Sequence, residues 1–518
     1  MVVTYRNNRL VPAVIITVCL WMSYWLIDPT VNNWHGLIPA WKSSTLGQDH
    51  DRATPTQQQQ QQQQPWEAAA TPIRQDTPES PAAAAGASPS AQPTTSDSDS
   101  DSSKSQTATP QQHGKSSGDL TPSDVLLIVK TGTTSLWKRL LIHLTTSLAP
   151  ERIPLANTVI YSDHPETIGG FRIVDALANI TEATKRLPDF DVYHRNPEYA
   201  GHNVYVEASG VEGDNYGPPG GWIIDKYKFL PLMQHAGAHW PQAKWYVYME
   251  DDAYLFLPSI LAYLSGFDWR QPHYLGSYAA KSDVVFAHGG AGFALSRAAW
   301  EQSFGQNPAL SDEFEQYTAD HCCGDQVLGL ALNKHGVRFG ENGGDEKFTW
   351  GFNPIVHWRF GFEKWNWCSR LMSWHKVHSR DVARYYEFER SWDFSKPLLN
   401  RDFFLAMIAP DLRDRAEWWD NLSGLFQVTS GNKASPPAPE TEHDAALWKD
   451  AWASVDACEA ACKAWADCVQ WSYVEDLCSM DDKFIMGQGY APAMSERKTA
   501  LKRTSGWLKE RLERWQCD

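Results

Sequence analysis

The stretch Trp245-Tyr-Val-Tyr-Met-Glu-Asp-Asp-Ala-Tyr254 constrains the fold more than any other part of the chain, because an apolar run stops abruptly at three adjacent acids. A short run of aromatic and β-branched residues is the pattern of a strand covered on both faces. In open α/β sheets, ligands gather beyond the carboxyl ends of such strands. Glu250, Asp251 and Asp252 would stand at that edge, where like charges repel unless a cation neutralises them. Their hard oxygen ligands suit Mn2+ or Mg2+. A water-exposed acidic loop is the plain alternative, since charged side chains are mostly solvated.

With 518 residues, 42% of them apolar, the chain has room for more than one domain. Leu10 to Ile27 carries no charged side chain, follows Arg6 and Arg9, and precedes Asp28, which reads as a transmembrane signal-anchor. A cleaved signal peptide is the rival, but the run is long for one and ends in Trp-Leu-Ile rather than small residues. The arginines place residues 1–9 in the cytosol, so the rest is expected in the lumen of the Golgi or secretory pathway, as a single-pass type II protein. Of nine cysteines, Cys19 falls inside the anchor, and the remaining even number suits disulfides in an oxidising compartment. Asn179-Ile-Thr and Asn421-Leu-Ser are glycan acceptor sequons on that side. A net charge of -16 argues against nucleic acid as a partner.

Residues 28–120 carry a glutamine tract (Gln57 to Gln64), an alanine tract (Ala82 to Ala85) and a Ser/Asp/Thr/Pro-rich run. Such composition buries too little surface to offset chain ordering, so the segment is read as a disordered stem. From 121 to 428 strand-like and helix-like segments alternate, which predicts an α/β domain. Strands are expected at Val125 to Val129, Thr158 to Tyr161, the Trp245 run and His273 to Leu275. Helices are expected at Thr133 to Leu148, Lys226 to His235, after Pro258 and near Ala298. A Pro/Ala/Glu-rich linker, 429–444, precedes a small cysteine-rich module, 445–518.

Four segments stand in order along the α/β domain. They are Val129-Lys130-Thr131, the acidic triplet, Phe286-Ala-His-Gly289-Gly290-Ala-Gly-Phe293 with Leu295-Ser296, and Gly324-Asp325-Gln-Val-Leu-Gly329 followed by Ser373-Trp374-His375. Each has an ordinary reading. Gly289 and Gly290 serve a tight turn as well as a close approach to a ligand. Asp325 ahead of an apolar helix is a cap as well as a proton acceptor. His375 and His357 are imidazoles that could pack or ligate, and most of Trp350, Trp358, Trp365, Trp367 and Trp374 are assigned to the core.

In combination, Trp-x5-Asp-Asp, Gly-Gly-Ala-Gly and Ser-Trp-His resemble the Fringe and core 1 β1,3-galactosyltransferase group, glycosyltransferase family 31, over roughly 124–392. The resemblance implies a GT-A fold with a mixed, mostly parallel sheet. It also implies a UDP-sugar donor, Mn2+ or another divalent cation, and an inverting, β1,3-type transfer to a hydroxyl of a glycan or glycoprotein. Position by position, it makes Asp252 and His375 metal ligands, with His357 in reserve, and Asp325 the base. Lys130, Asp163, Glu250, Asp251, Gly289 and Gly290 would line the donor site, Glu250 standing where an aspartate is common.

Cys458-x3-Cys462-x5-Cys468-x9-Cys478 resembles a PAN/Apple module, a small α+β unit that binds proteins or carbohydrates. That pattern implies the pairs Cys458 to Cys478 and Cys462 to Cys468, leaving Cys517 for Cys322, Cys323 or Cys368. A zinc site is the rival reading of the four cysteines. The chain as a whole is thus expected to be a membrane-anchored, inverting, metal-dependent glycosyltransferase. Its alternatives are a catalytically silent carbohydrate-binding protein and a metal-dependent hydrolase.

Overall fold

The computed structural model describes residues 119–201, 221–340, 351–490 and 501–517. The cytosolic tail, the anchor, nearly all of the stem and Trp350 lie outside them. Among the described residues no helix is long and apolar enough to cross a membrane.

The strands of the first lobe are β1 (Val125–Lys130), β2 (Thr158–Ser162), β3 (Glu166–Ile168), β4 (Phe171–Asp175), β5 (Trp245–Glu250), β6 (Ala253–Leu255), β7 (Tyr274–Gly276), β8 (Tyr278–Lys281), β9 (Val284–Ala287), β10 (Phe293–Ser296) and β11 (Ser373–His375). Seven of them form the central sheet, in the order β3-β4-β2-β1-β5-β10-β7. β4, β2, β1 and β5 are parallel, while β10 runs antiparallel between β5 and β7. This mixed, parallel-rich sheet fits a GT-A-like fold.

The pleat explains why β1 and β5 are apolar throughout. Leu126 and Ile128 enter one core with Tyr246 and Tyr248, while Val125, Leu127 and Val129 enter another with Trp245, Val247 and Met249. The helices Phe229–His239 and Gly324–Lys334 cover the first face, and Thr133–Leu144 and Leu257–Leu264 cover the second. The parallel register sets Lys130 beside Glu250, where both strands run out. Helix edges differ slightly from expectation: the first stops at Leu144, and the one expected from Lys226 starts at Phe229, after a turn that sends Lys228 beneath the sheet edge.

The second region is a five-stranded antiparallel sheet in the order Ala416–Glu417, Thr504–Trp507, Gln470–Val474, Leu477–Asp481, Phe426–Thr429. The helix Val455–Ala464 lies on it, bonded through Cys458 to Cys478 and through Cys462 to Cys468. Two of its strands precede 429–444, so that stretch is a loop within the sheet's own connectivity rather than a tether ahead of it. Cys517 bonds to Cys368, and Cys322 to its neighbour Cys323. One apolar cluster contains Trp374 and Phe403 of the first lobe with Phe484, Trp507 and Trp515 of the second, so the two share a core.

The two sequons differ in setting. Asn179 is exposed. Asn421 is fully buried, its Nδ2 donating to the carbonyls of Trp471 at 3.1 Å and Gly506 at 3.4 Å. A glycan there would unmake the sheet, because a buried amide without its partners costs about 1–3 kcal/mol even before the sugar's bulk is counted. Expressed through a secretory host, the chain is therefore expected to take one glycan. Asn179→Gln should abolish the endoglycosidase-sensitive mobility shift, and Asn421→Gln should keep the shift while lowering the melting temperature.

Candidate active site

The strand-end acids do three different jobs. Glu250 closes β5 and, following the pleat, lies on the same face as Lys130, whose ammonium is 3.1 Å from its Oε1. Tyr248 donates a second hydrogen bond to that oxygen at 3.1 Å. Lys130 also pairs with Asp225 and sits 4.6 Å above the Phe229 ring. Burial works against its charge, but Asp225 and Glu250 outweigh that and raise its pKa. The lysine expected to meet a diphosphate is thus committed to two carboxylates and fixes Glu250.

Asp251 turns back to the helix Thr133–Leu144. Its Oδ2 accepts from Thr131 Oγ1 at 2.7 Å and Ser135 Oγ at 2.5 Å, and its carbonyl accepts from His143 Nε2 at 3.1 Å. Asp163 serves the same helix end, accepting from the backbone N–H and hydroxyl of Thr133. The reason is local: the residue before the helix is Gly132, which has no side chain to cap the free N–H groups. Burial pushes the Asp163 carboxyl up to about 7, against the pull of nearby Lys228. Two acids expected at the cofactor therefore spend hydrogen bonds on a helix terminus, although Asp163 Oδ2 is buried without a hydrogen-bond partner.

Asp252 points the other way, toward β11, which pairs antiparallel with β6 and brings His375 opposite Ala253. Its Oδ1 lies 3.4 Å from His375 Nε2, and its Oδ2 lies 3.2 Å from Arg139 Nη1. Burial opposes ionisation, yet Arg139 and His375 hold the carboxyl well below the usual range. Glu250, Asp252 and His375 each bring a ligand atom within 4.8 Å of the others.

These residues fit a divalent cation. Asp252 Oδ1 is buried and has no hydrogen-bond partner among the described residues. His375 Nδ1 is 3.1 Å from the Pro354 carbonyl, and a carbonyl can only accept, so Nδ1 carries a proton; burial opposes a second proton on Nε2 but Asp252 raises the ring's pKa, and a bound cation would take the Nε2 lone pair in that proton's place. Gly290 supplies the floor: a Cβ there would stand 2.2 Å from His375 Nε2. His357, the reserve ligand, is buried elsewhere, bonded to Tyr385 and packed against Trp374 and Phe403.

The glycine turn also meets Asp325. In the helix Gly324–Lys334 the capping position is Cys323, so Asp325 is not the cap; its Oδ2 accepts from the Gly289 N–H at 2.8 Å and its Oδ1 from the Gln326 N–H at 2.9 Å. Burial raises its pKa to about 6, against the lowering effect of the Gly289 N–H, with the charge of Glu250 adding to the rise. Trp367 and Trp374 are core residues as expected, while Trp365 is about half exposed, at 51%.

Arg139, Asp225 and Lys228 were not anticipated from sequence. Arg139 had a readable signal, since Ser135, Arg139 and His143 form a polar i, i+4, i+8 stripe along one side of the helix, and all three reach Asp251. Lys228, fully buried, donates to the Thr131 carbonyl at 2.9 Å and lies 3.4 Å from Asp225. Nothing in the local pattern marks it.

Residues 232–338 match the Fringe family model, described as Fringe-like. The matched segment runs from the helix before β5 through the acids and the glycine turn to the helix bearing Asp325, and stops short of His375. A comparison with curated proteins returned no match. The chain therefore carries a Fringe-like domain, and that family implies glycosyltransferase activity in general.

The tightest steric test of the site is Gly290. Gly290→Ala is expected to weaken Mn2+ binding, followed as the loss of the free-ion electron paramagnetic resonance signal, by about tenfold or more, the scale seen when a ligand's support is disturbed. Gly431→Ala, where a Cβ finds its nearest atom at 3.6 Å, should bind as wild type does.

Proposed function

We propose that the chain is an inverting glycosyltransferase that moves a sugar from a UDP-sugar to a hydroxyl of a glycan or glycoprotein, in a β1,3-type linkage. It acts from a type II anchor in the Golgi or secretory-pathway membrane. One observation carries this reading: a single turn touches both halves of the site, Gly289 binding Asp325 and Gly290 lying against His375.

Asp252 and His375, with Glu250, would hold a divalent cation, Mn2+ by preference. When bound, it would offset negative charge on a diphosphate leaving group. Lys130 and Asp225 keep Glu250 in place, and Arg139 keeps Asp252 ionised and oriented. Asp325, fixed by two backbone N–H groups, takes the proton from the acceptor hydroxyl as its oxygen bonds to the anomeric carbon. The anomeric C–O bond to the diphosphate breaks in the same displacement, and UDP leaves with the electron pair. One base and one displacement give inversion.

Asp252→Ala is expected to abolish metal-stimulated UDP release while leaving the near-ultraviolet circular dichroism intact; turnover at the wild-type rate would sink the assignment. Asp325→Asn separates base from helix support. Because the folded pKa lies above 3.8, the folded state binds this proton more tightly than the unfolded state, and stability falls as pH rises toward about 6. Asn removes the buried charge but keeps only one acceptor oxygen for the two N–H groups, so the variant is expected to stay folded and bind UDP at pH 7.5, with transfer lost. The wild-type rate should fall off below about pH 6, as Asp325 is protonated.

A further inference from the structure

The imidazole of His375 is aimed by the Pro354 carbonyl, and the segment that carries this carbonyl is held from the other side by the C-terminal region. The Trp358 carbonyl accepts from the Gly487 N–H at 2.7 Å. Phe362 and Phe484 exchange both backbone hydrogen bonds, at 2.8 and 2.9 Å. Trp367 packs edge-on against Trp515 at 5.3 Å, and Cys368 is bonded to Cys517. From 354 to 368 the chain thus meets His375 at its start and the C-terminal region along the remainder.

Neither side of this arrangement is self-sufficient. β11 is three residues long; its ladder with the equally short β6 is supplemented by a single bridge from Ser373 to Phe352, just ahead of Pro354, so the ladder alone gives little rigidity. Trp374, the residue before the ligand, points into the shared core, 6.2 Å from Phe362 and 5.2 Å from Phe403. Phe484 lies within that same core, 5.5 Å from Phe404.

We propose that the C-terminal module is a positioning element of the metal site: by bracing 354–368 it sets the orientation of His375, so the first lobe without it would not hold a divalent cation. Supports of this kind, one step removed from the ligand, typically govern metal affinity by about 10- to 100-fold. The proposal rests on the reading of Glu250, Asp252 and His375 as metal ligands. It gives the module a task that needs no glycan or protein bound to its own surface.

The test uses the full chain and Mn2+ alone, with free ion counted by electron paramagnetic resonance and folded fraction by thermal melting. Phe484→Ala is expected to raise the Mn2+ dissociation constant by about tenfold or more, with Phe484→Leu restoring most of the affinity. The double variant Cys368→Ser/Cys517→Ser removes the staple without opening a cavity and should weaken binding in the same direction. Asp252→Ala serves as the reference for lost binding. Wild-type affinity in both Phe484→Ala and the double variant, while Asp252→Ala loses binding, overturns this proposal and leaves the metal reading standing. Wild-type affinity in Asp252→Ala overturns both. A loss that only tracks the unfolded fraction also overturns the positioning role.

Discussion

The buried ion pairing at the ends of β1 and β5 is the constraint on which the site depends. Parallel pairing in register puts Lys130 and Glu250 side by side on one face, beside Asp225 and above Phe229. Removing one member of such a cluster leaves an uncompensated charge in a dry environment, which costs about 3–5 kcal/mol. The pairing therefore cannot be relaxed cheaply, and it fixes where β5 ends. From that end the next two residues diverge: Asp251 back to a helix whose leading glycine cannot cap it, Asp252 forward to His375. Three adjacent acids coexist because Lys130 meets Glu250, the Thr131 and Ser135 hydroxyls meet Asp251, and Arg139 lies against both Asp251 and Asp252.

Much of the first lobe was legible in the sequence because its strands are apolar on both faces and its helices are not. Val125 to Val129 and the Trp245 run have no alternative home but the interior of a sheet, and the structure puts them there in parallel. The convergence of Asp252, Asp325 and His375 came from motif order rather than from local pattern, since no periodicity links residues so far apart. Asp251 and Asp163 show the limit of that approach. Composition cannot say which way a carboxylate turns at a strand end, and the deciding fact, a helix starting at Gly132 with no cap of its own, is a tertiary requirement. Lys228 was illegible for the same reason: a lysine in a turn looks solvated until a carbonyl and a carboxylate are found around it.

The C-terminal sheet reaches across the Pro/Ala/Glu-rich stretch. The cysteine spacing carried the two local disulfides, but the Pro/Ala/Glu-rich stretch looked like a tether. In the fold, Ala416–Glu417 and Phe426–Thr429 pair with strands beyond it, so a domain cut at the linker would remove two strands from the sheet. The aromatic density between Trp358 and Trp374 is explained by the same continuity. Trp358, Trp367 and Trp374 belong to a core shared with Phe484, Trp507 and Trp515, while Trp365 stays about half exposed.

The turn from His288 to Gly292 makes the arrangement mechanistically coherent. Two successive residues with no side chain let the backbone enter between His375 and Asp325. A Cβ on Gly290 would strike the imidazole, and one on Gly289 would crowd Phe229 at 2.9 Å and Glu250 at 3.1 Å. The Gly289 N–H then ties the carboxylate of Asp325 to the same turn whose next residue floors His375. Asp325 and the candidate cation site are thereby tied to adjacent backbone positions of one turn. In-line displacement gains most from such fixed geometry, because misplacement by about 1 Å can cost about 100-fold in rate. Residues 232–338, the part of the chain similar to the Fringe-like family, hold both this turn and the strand end beside it.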